Sequence, residues 1–414
     1  MRLRFALLLA LVPLAIAGVV GGLWLASRDQ PGGALDTELT DVSVFEATER
    51  PRPAPTPAEP SADRVCWPFF GGDPQRSLAR PDATLGLPAR KALWARGMGS
   101  YMEYPPSYCD GVLYVSTFEG VTFALEAETG KLIWKRRAGG PIASTPAIAG
   151  DRVIVSSHDG TVTALDRSDR SRLWQVTTPG KVESSPVVVD GLVYFGATDG
   201  RLFAVALATG RVRWAYDTGG RINASPSVFG PRVCITTYAG SVFCLRKDTG
   251  EKLWSRYISR DTFRNESFYA SPSTDGRRLY TVARSGKVVA LDASDGGIVW
   301  TGRVGGLGYT TPAIADDRVF VGGFDGRLRA LRADTGAELW QTRVAGRILG
   351  APVVIGEFVF FATLEQRTYA ARVGDGKVVW QLPMGKYSPV IATERTYFFS
   401  SNGILSAFRG RDAG

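Results

Sequence analysis

An all-β fold closed into an eight-bladed β-propeller of four-stranded antiparallel blades is what this 414-residue sequence predicts, on three periodic markers. Tryptophan recurs at 94, 134, 174, 214 and 254, an even step of 40 residues, and again at 300, 340 and 380. Proline runs in phase with it at 106, 146, 186, 226, 272, 312, 352 and 389, usually with Ser or Thr within the two preceding residues. The third marker is the stretch entering each Trp. It reads ALEAETGKLIW from Ala124, ALDRSDRSRLW from Ala164, AVALATGRVRW from Ala204 and CLRKDTGEKLW from Cys244. It continues as ALDASDGGIVW from Ala290, ALRADTGAELW from Ala330 and AARVGDGKVVW from Ala370.

The unit from Ser185 to Trp214 shows what repeats. Four short apolar runs, Pro186 to Val189, Leu192 to Ala197, Leu202 to Leu207 and Val212 to Ala215, are parted by Asp190-Gly191, Asp199-Gly200 and Thr209-Gly210. Asp-Gly between β-prone runs marks a tight hairpin, because such turns need positive φ. Four antiparallel strands every 40 residues describe a propeller blade.

The blade count follows from the chain ends. Seven Trp-bearing fourth strands close seven blades. The C-terminal runs Ser388 to Ile391, Thr396 to Ser400 and Ile404 to Phe408 then stop one strand short, while Leu93-Trp94 is a fourth strand with no blade before it. Joining the two makes an eighth blade, closed by the N-terminal strand around Trp94, and removes the open edge.

Composition narrows the chemistry. The chain holds one His, His158, and 4 Cys, which excludes a multi-His metal site and a zinc ribbon. His158 aligns with Thr198 and Phe324 on the repeat, and Asp159-Gly160 beside it is turn chemistry, so it reads as a surface residue rather than half of a catalytic dyad. A charge of +9, with dispersed Arg and no basic stripe between aromatic platforms, argues against nucleic-acid binding.

The N-terminus predicts export. Residues 1–4 carry two Arg and read as a cytoplasmic end; residues 5–27 are uncharged and long enough for one transmembrane signal anchor, with Trp24 at its interface. A cleavable signal peptide competes, since Ala15-Ile16-Ala17 is a small-x-small site. No Cys follows for lipidation. Residues 28–62 form a disordered stalk with Pro31, Pro51, Pro53, Pro55, Pro57 and Pro60, residues 63–92 a lead-in segment packed on the ring, and residues 93–410 the propeller.

The A-L-D-x-x-T-G-x-x-x-W pattern resembles the tryptophan-docking repeat of pyrroloquinoline-quinone (PQQ)-like propellers, over about residues 94 to 408. That family holds both quinoprotein alcohol dehydrogenases and BamB-type assembly lipoproteins, so it implies a fold rather than one activity. The resemblance implies that Trp94, Trp134, Trp174, Trp214, Trp254, Trp300, Trp340 and Trp380 pack on a turn of a neighbouring blade. Residues 66–74 (CWPFFGGDP) resemble the family's lead-in. A bond between Cys66 and Cys109 would pin that segment to the ring. Cys244 occupies a small structural position. A two-residue turn at Ala239-Gly240 would pair Ile235 with Cys244, setting Cys234 on the opposite face and predicting no bond between those two.

The dehydrogenase branch implies a quinone, a calcium held by carboxylate and amide oxygens, an Asp base and a vicinal disulfide. This sequence has no adjacent Cys pair, and its Trp-to-Pro connections leave no room for large capping insertions, except Trp254 to Pro272. Asn265 and Glu266 in that loop are the weak candidates for cation ligands. No cofactor is expected on the leading reading; PQQ and calcium belong to the alternative. The loops just before the Pro markers gather Lys181, Glu183, Arg221, Arg264, Glu266, Tyr309, Arg347 and Lys386 at one mouth of the channel, a partner-binding rim of mostly basic residues. The reading is a non-catalytic, membrane-anchored extracytoplasmic scaffold whose partner is another protein or an anionic envelope polymer. A PQQ-dependent oxidoreductase and a sensor ectodomain are its alternatives.

Overall fold

In the computed structural model, residues 66–261, 264–387 and 390–412 are described; the expected anchor (5–27) and stalk (28–62) lie outside them. Among the described residues no helix is long and apolar enough to cross a membrane. The rest is β-structure. Seven blades follow one another from Ser107 to Leu382, each a meander of four antiparallel strands, innermost strand first. The eighth is composite. Its outer strand, Leu85–Gly97, pairs with Ile404–Asp412, and Trp94 faces Ala407. That pairing ties the two chain ends together, so the ring has no unpaired junction between its last blade and its first.

The turn chemistry accounts for the register. Asp190 and Gly191 both have positive φ, 50° and 72°, and close a two-residue hairpin between Val189 and Leu192. The connection between second and third strands differs from expectation by one residue. The N–H of Ala197 bonds the Arg201 carbonyl at 2.9 Å, so the loop is Thr198-Asp199-Gly200, with Gly200 at φ 94°.

The same extra residue corrects the reading of Cys234 and Cys244. Blade 4 turns through Tyr238-Ala239-Gly240, Thr237 bonding Ser241 at 2.9 Å. Cys234 therefore faces Cys244 directly, and the two form a buried cross-strand disulfide, Cα to Cα 4.1 Å. A shift of one residue moves a side chain to the other face of a sheet, which is why a two-residue turn set these thiols apart. A second disulfide joins Cys66 to Cys109.

Blades are locked to one another through indoles. Trp174 Nε1 donates to the Leu207 carbonyl at 2.7 Å, Trp214 to Lys247 at 2.9 Å and Trp300 to Ala333 at 2.9 Å, each on the next blade's third-to-fourth turn. Trp94, Trp134, Trp254 and Trp340 do the same. Close approach requires glycine here: a Cβ on Gly210, which sits at φ 71°, would lie 2.8 Å from the Trp174 ring. Trp380 is the exception by topology. Blade 8 draws its third and fourth strands from opposite chain ends, so it has no such turn, and Trp380 instead stacks on Phe399 at 5.6 Å.

The lead-in crosses the inner strands of the ring. Pro68 accepts from Ile148 at 2.7 Å, Pro74 from Val228 at 2.8 Å, Gln75 from Thr274 at 3.1 Å, Ser77 from Ile314 at 2.8 Å and Leu78 from Val354 at 2.8 Å. These donors are the free inner edges of blades 2, 4, 5, 6 and 7, which water or another chain would otherwise have to satisfy. Arg76 is fully buried and completes the crossing, donating to the carbonyls of Phe70 at 2.5 Å, Ser185 at 2.8 Å and Pro226 at 2.6 Å. Burial lowers its guanidinium to about 9. The lead-in therefore floors the channel, and the opposite mouth opens into a well.

Candidate functional site

The mouth is built from two loops per blade. The N–H of a second-to-third-strand loop residue bonds the carbonyl of a residue in the loop entering the same blade: Phe118 to Tyr101, Thr198 to Lys181, Tyr238 to Arg221, Phe324 to Leu307 and Leu364 to Arg347, at 2.8–3.2 Å. This lacing fixes the rim on the scaffold below it.

Beneath the rim, the Ser or Thr that precedes most Pro markers forms a relay around the well. Thr145 N–H donates to Ser185 Oγ at 3.0 Å, Ser185 to Ser225 at 2.9 Å, Ser225 to Ser271 at 2.9 Å and Ser271 to Thr311 at 3.1 Å. The recurring hydroxyl thus has a structural purpose. Each satisfies a buried backbone donor of the blade before it.

Two residues further from each Pro marker, toward the mouth, lies the position that lines the opening. Read from blade 1 to blade 8 it holds Glu103, Ala143, Glu183, Asn223, Tyr269, Tyr309, Leu349 and Lys386. Glu183 accepts from the Asn223 amide and pairs with Arg221 at 3.4 Å. Glu103 is half-buried, and its carboxyl is pushed up to about 7 by burial and then by repulsion from Glu183, with Lys386 opposing. Ionising Glu103 thus works against folding: its contribution is complete below its ordinary value of 4.5 and is lost as pH rises through 7. A carbon-detected NMR titration should find Glu103 titrating near 7, and Glu183→Gln should bring it down toward the ordinary range. A Glu103 value unmoved by that change would remove the coupling.

The rim expected from the sequence is only partly a set of free cations. Arg347 pairs with Glu365 at 3.1 Å, as Arg221 does with Glu183. Both also lie over rings, Arg221 over Tyr238 and Arg347 over Phe324. Lys386 sits over Tyr387 at 5.3 Å and over Tyr101 at 6.0 Å. Lys181 is at the rim beside Thr198, whose Oγ1 accepts from its N–H at 2.9 Å. Tyr309 accepts from Arg284 Nε at 3.0 Å. Glu266 is 2% exposed and bonded by Ser285 at 2.6 Å, so it is buried against the second-to-third-strand loop of its own blade. The side chains of Arg264 and Asn265 lie outside the described residues. His158 is at the mouth with its ring 5.7 Å from Phe118. Burial lowers its pKa, which keeps it neutral near pH 7.

Apart from Tyr309, the sequence reading missed the aromatics. Tyr238, Tyr269, Tyr309 and Phe324 form one chain of ring contacts at 5.9, 5.7 and 5.6 Å, and Tyr387, Tyr101, Phe118 and His158 another at 5.9, 6.4 and 5.7 Å. Aligning the repeat at the loop positions, rather than at the Trp, would have brought them out. A second depression, a groove of about 800 Å³ lined by Arg90, Arg367, Trp380 and Arg411, lies on the side of the ring where blade 8 lacks its docking turn.

The quinone and calcium pattern is matched at one point only. Glu183 and Asn223 bring a carboxylate and an amide together. The next position of that row is Tyr269, and neither disulfide among the described residues is vicinal. Among the described residues, the row lining the mouth holds no Asp.

A family model described as "Outer membrane protein assembly factor BamB" matches residues 83–263 and 259–408. None of the curated proteins matches the sequence. Among solved structures, BamB from Moraxella catarrhalis superposes with a TM-score of 0.67 at 16% identity, over 77% of this chain and 99% of that one. The quinohemoprotein alcohol dehydrogenase of Comamonas testosteroni gives 0.69 at 14%, over 84% and 81%. A computationally designed protein, Ika8, gives 0.66 at 15%, over 76% and 98%. At such identities the likeness is one of fold.

Proposed function

Because this chain belongs to the PQQ-like repeat propellers of the family described as outer membrane protein assembly factor BamB, we propose that its ring is a non-catalytic binding scaffold, held outside the cytoplasmic membrane by its N-terminal segment. The observation that carries this reading is the mouth: two aromatic chains, exposed at Phe118, Tyr238 and Tyr269, with Arg and Lys over them, above a floored well. Tyr and Arg are enriched at protein interfaces: Tyr buries much area with few rotors, Arg offers a planar fork of donors, and both keep a polar end. That composition favours a protein partner over an anionic polymer. The export part of the proposal rests on residues 1–27 and on two disulfides, which persist in oxidising compartments. An assembly role fits the description of the matching family, in the general sense of holding a partner in place.

Proximity labelling from the propeller in living cells tests both parts. The expected result is enrichment of extracytoplasmic proteins, reduced about tenfold when Arg221, Arg347 and Lys386 are replaced together by Gln. Labelling dominated by cytoplasmic proteins would overturn the location. A labelling pattern indifferent to the triple change would overturn the mouth as the binding face. Addition of PQQ with calcium should leave the protein's absorbance the sum of its parts; a bound-quinone band with alcohol oxidation would restore the enzymatic alternative.

A further inference from the structure

The two aromatic chains do not encircle the mouth; they face each other. Tyr387, Tyr101, Phe118 and His158 belong to blades 8, 1 and 2, whereas Tyr238, Tyr269, Tyr309 and Phe324 belong to blades 4, 5 and 6. In a ring of eight these are opposite arcs. The blades between them, 3 and 7, are also opposite each other and carry Thr198 and Leu364 at the loop position where the arcs carry Phe118, Tyr238 and Phe324. The mouth is therefore a trough along one diameter, walled by rings and with Thr198 and Leu364 in place of rings at its two ends. Phe118 and Tyr269, one on each wall, are both 41% exposed.

The floor of the trough is not neutral. Glu183, paired with Arg221 at 3.4 Å, lies close enough to Glu103 to add to the burial that raises Glu103's cost of ionisation. Asn223 beside them is 4% exposed, gives its amide to Glu183, and leaves Oδ1 without a hydrogen-bond partner. Both donor groups described here, the Asn223 amide and the Arg221 guanidinium, go to Glu183, which leaves the Asn223 Oδ1 stranded and the Glu103 carboxylate with no donor from either. A cationic side chain with several N–H donors would supply what is lacking. The walls, in contrast, carry Arg221, Arg347 and Lys386 over the rings and suit flanking carbonyl or acidic groups.

We propose that the trough takes an extended segment of a partner polypeptide, lying from blade 3 to blade 7 between the aromatic walls, with one lysine or arginine side chain entering the well at Glu103, Glu183 and Asn223. This deepens the scaffold reading and rests on it. An extended chain exposes backbone groups that tyrosine hydroxyls and guanidinia can bond, while ring faces pack its alternate side chains. The walls supply area and the acceptor trio supplies choice of residue. A partner with an acidic or apolar residue at that place would strand the same acceptors.

The test uses the full chain in living cells, with Phe118→p-benzoylphenylalanine on one wall and Tyr269→p-benzoylphenylalanine on the other. Photocrosslinks are mapped to residues by mass spectrometry. Both walls are expected to reach one stretch of about ten residues in the same polypeptide, the length an extended strand needs to cross such an opening. That stretch should contain a lysine or arginine, and Glu183→Gln should cut the crosslink yield at least fivefold. If Glu183→Gln does not fold, Glu103→Gln serves in its place. Crosslinks from the two walls to unrelated segments, to a glycan only, or to a stretch without a basic residue would overturn the trough and leave the scaffold standing. The absence of crosslinks from both walls and also from Lys181→p-benzoylphenylalanine and Leu364→p-benzoylphenylalanine at the two ends would overturn the scaffold reading itself.

Discussion

Trp174→Ala is expected to destabilise the ring by about 3–5 kcal/mol from lost packing alone, read as a lower urea midpoint with the slope unchanged. The indole is fully buried between blades 2 and 3, and its Nε1 holds the Leu207 carbonyl at 2.7 Å. Truncation leaves a large cavity and strands that carbonyl, which adds about 1–3 kcal/mol. Trp174→Phe should recover most of the packing and not the hydrogen bond, so it should fall between wild type and alanine. Trp380→Ala should cost less than Trp174→Ala, because Trp380 faces a groove where blade 8 has no turn to receive it. Equal losses at the two sites would mean that docking on the neighbour's turn contributes nothing beyond ordinary burial.

The second large effect is expected at Arg76. Replacing a buried charge by an apolar side chain of similar length is often neutral, because the charge was costly to desolvate. Burial does depress the Arg76 guanidinium to about 9. Here, however, the partners are carbonyls of Phe70, Ser185 and Pro226, which remain when the charge goes. At about 1–3 kcal/mol for each stranded acceptor, Arg76→Met should lose about 3–5 kcal/mol after relaxation. Arg76→Lys should not rescue it, since a single ammonium cannot reach acceptors on two blades and on the lead-in together. Hydrogen exchange should show the loss first at the inner strands of blades 3 and 4, which Arg76 ties to the lead-in. Wild-type stability in both variants would show that the lead-in is held by its backbone bonds alone.

Legibility in the sequence follows the range of the interaction. The blade count, the Trp positions and the composite closure were readable because each is written once per 40 residues and the phase is unmistakable. Positive-φ turns at Asp190-Gly191 were readable for the same reason, since few residues accept that backbone. The pairing of Cys234 with Cys244 was not, because it hangs on whether a loop has two residues or three, and Ala239-Gly240 serves either. The partners of Glu266 in the long loop were not legible either. Glu266 is bonded by Ser285 of its own blade, while a carboxylate–amide pair arose from Glu183 and Asn223, 40 residues apart and on adjacent blades.

The repeating unit, the number of blades and the way the ends meet follow from the order of residues alone, because local turn chemistry and hydrophobic period act within a single blade. The character of the mouth emerges with the closed ring. Aromatics that look scattered over 287 residues, from Tyr101 to Tyr387, become two facing walls once each is carried to the same height by its own blade. The lead-in is the other such case. Its residues have no periodicity of their own, and what orders them is a row of unpaired N–H groups that exists only after the ring has closed.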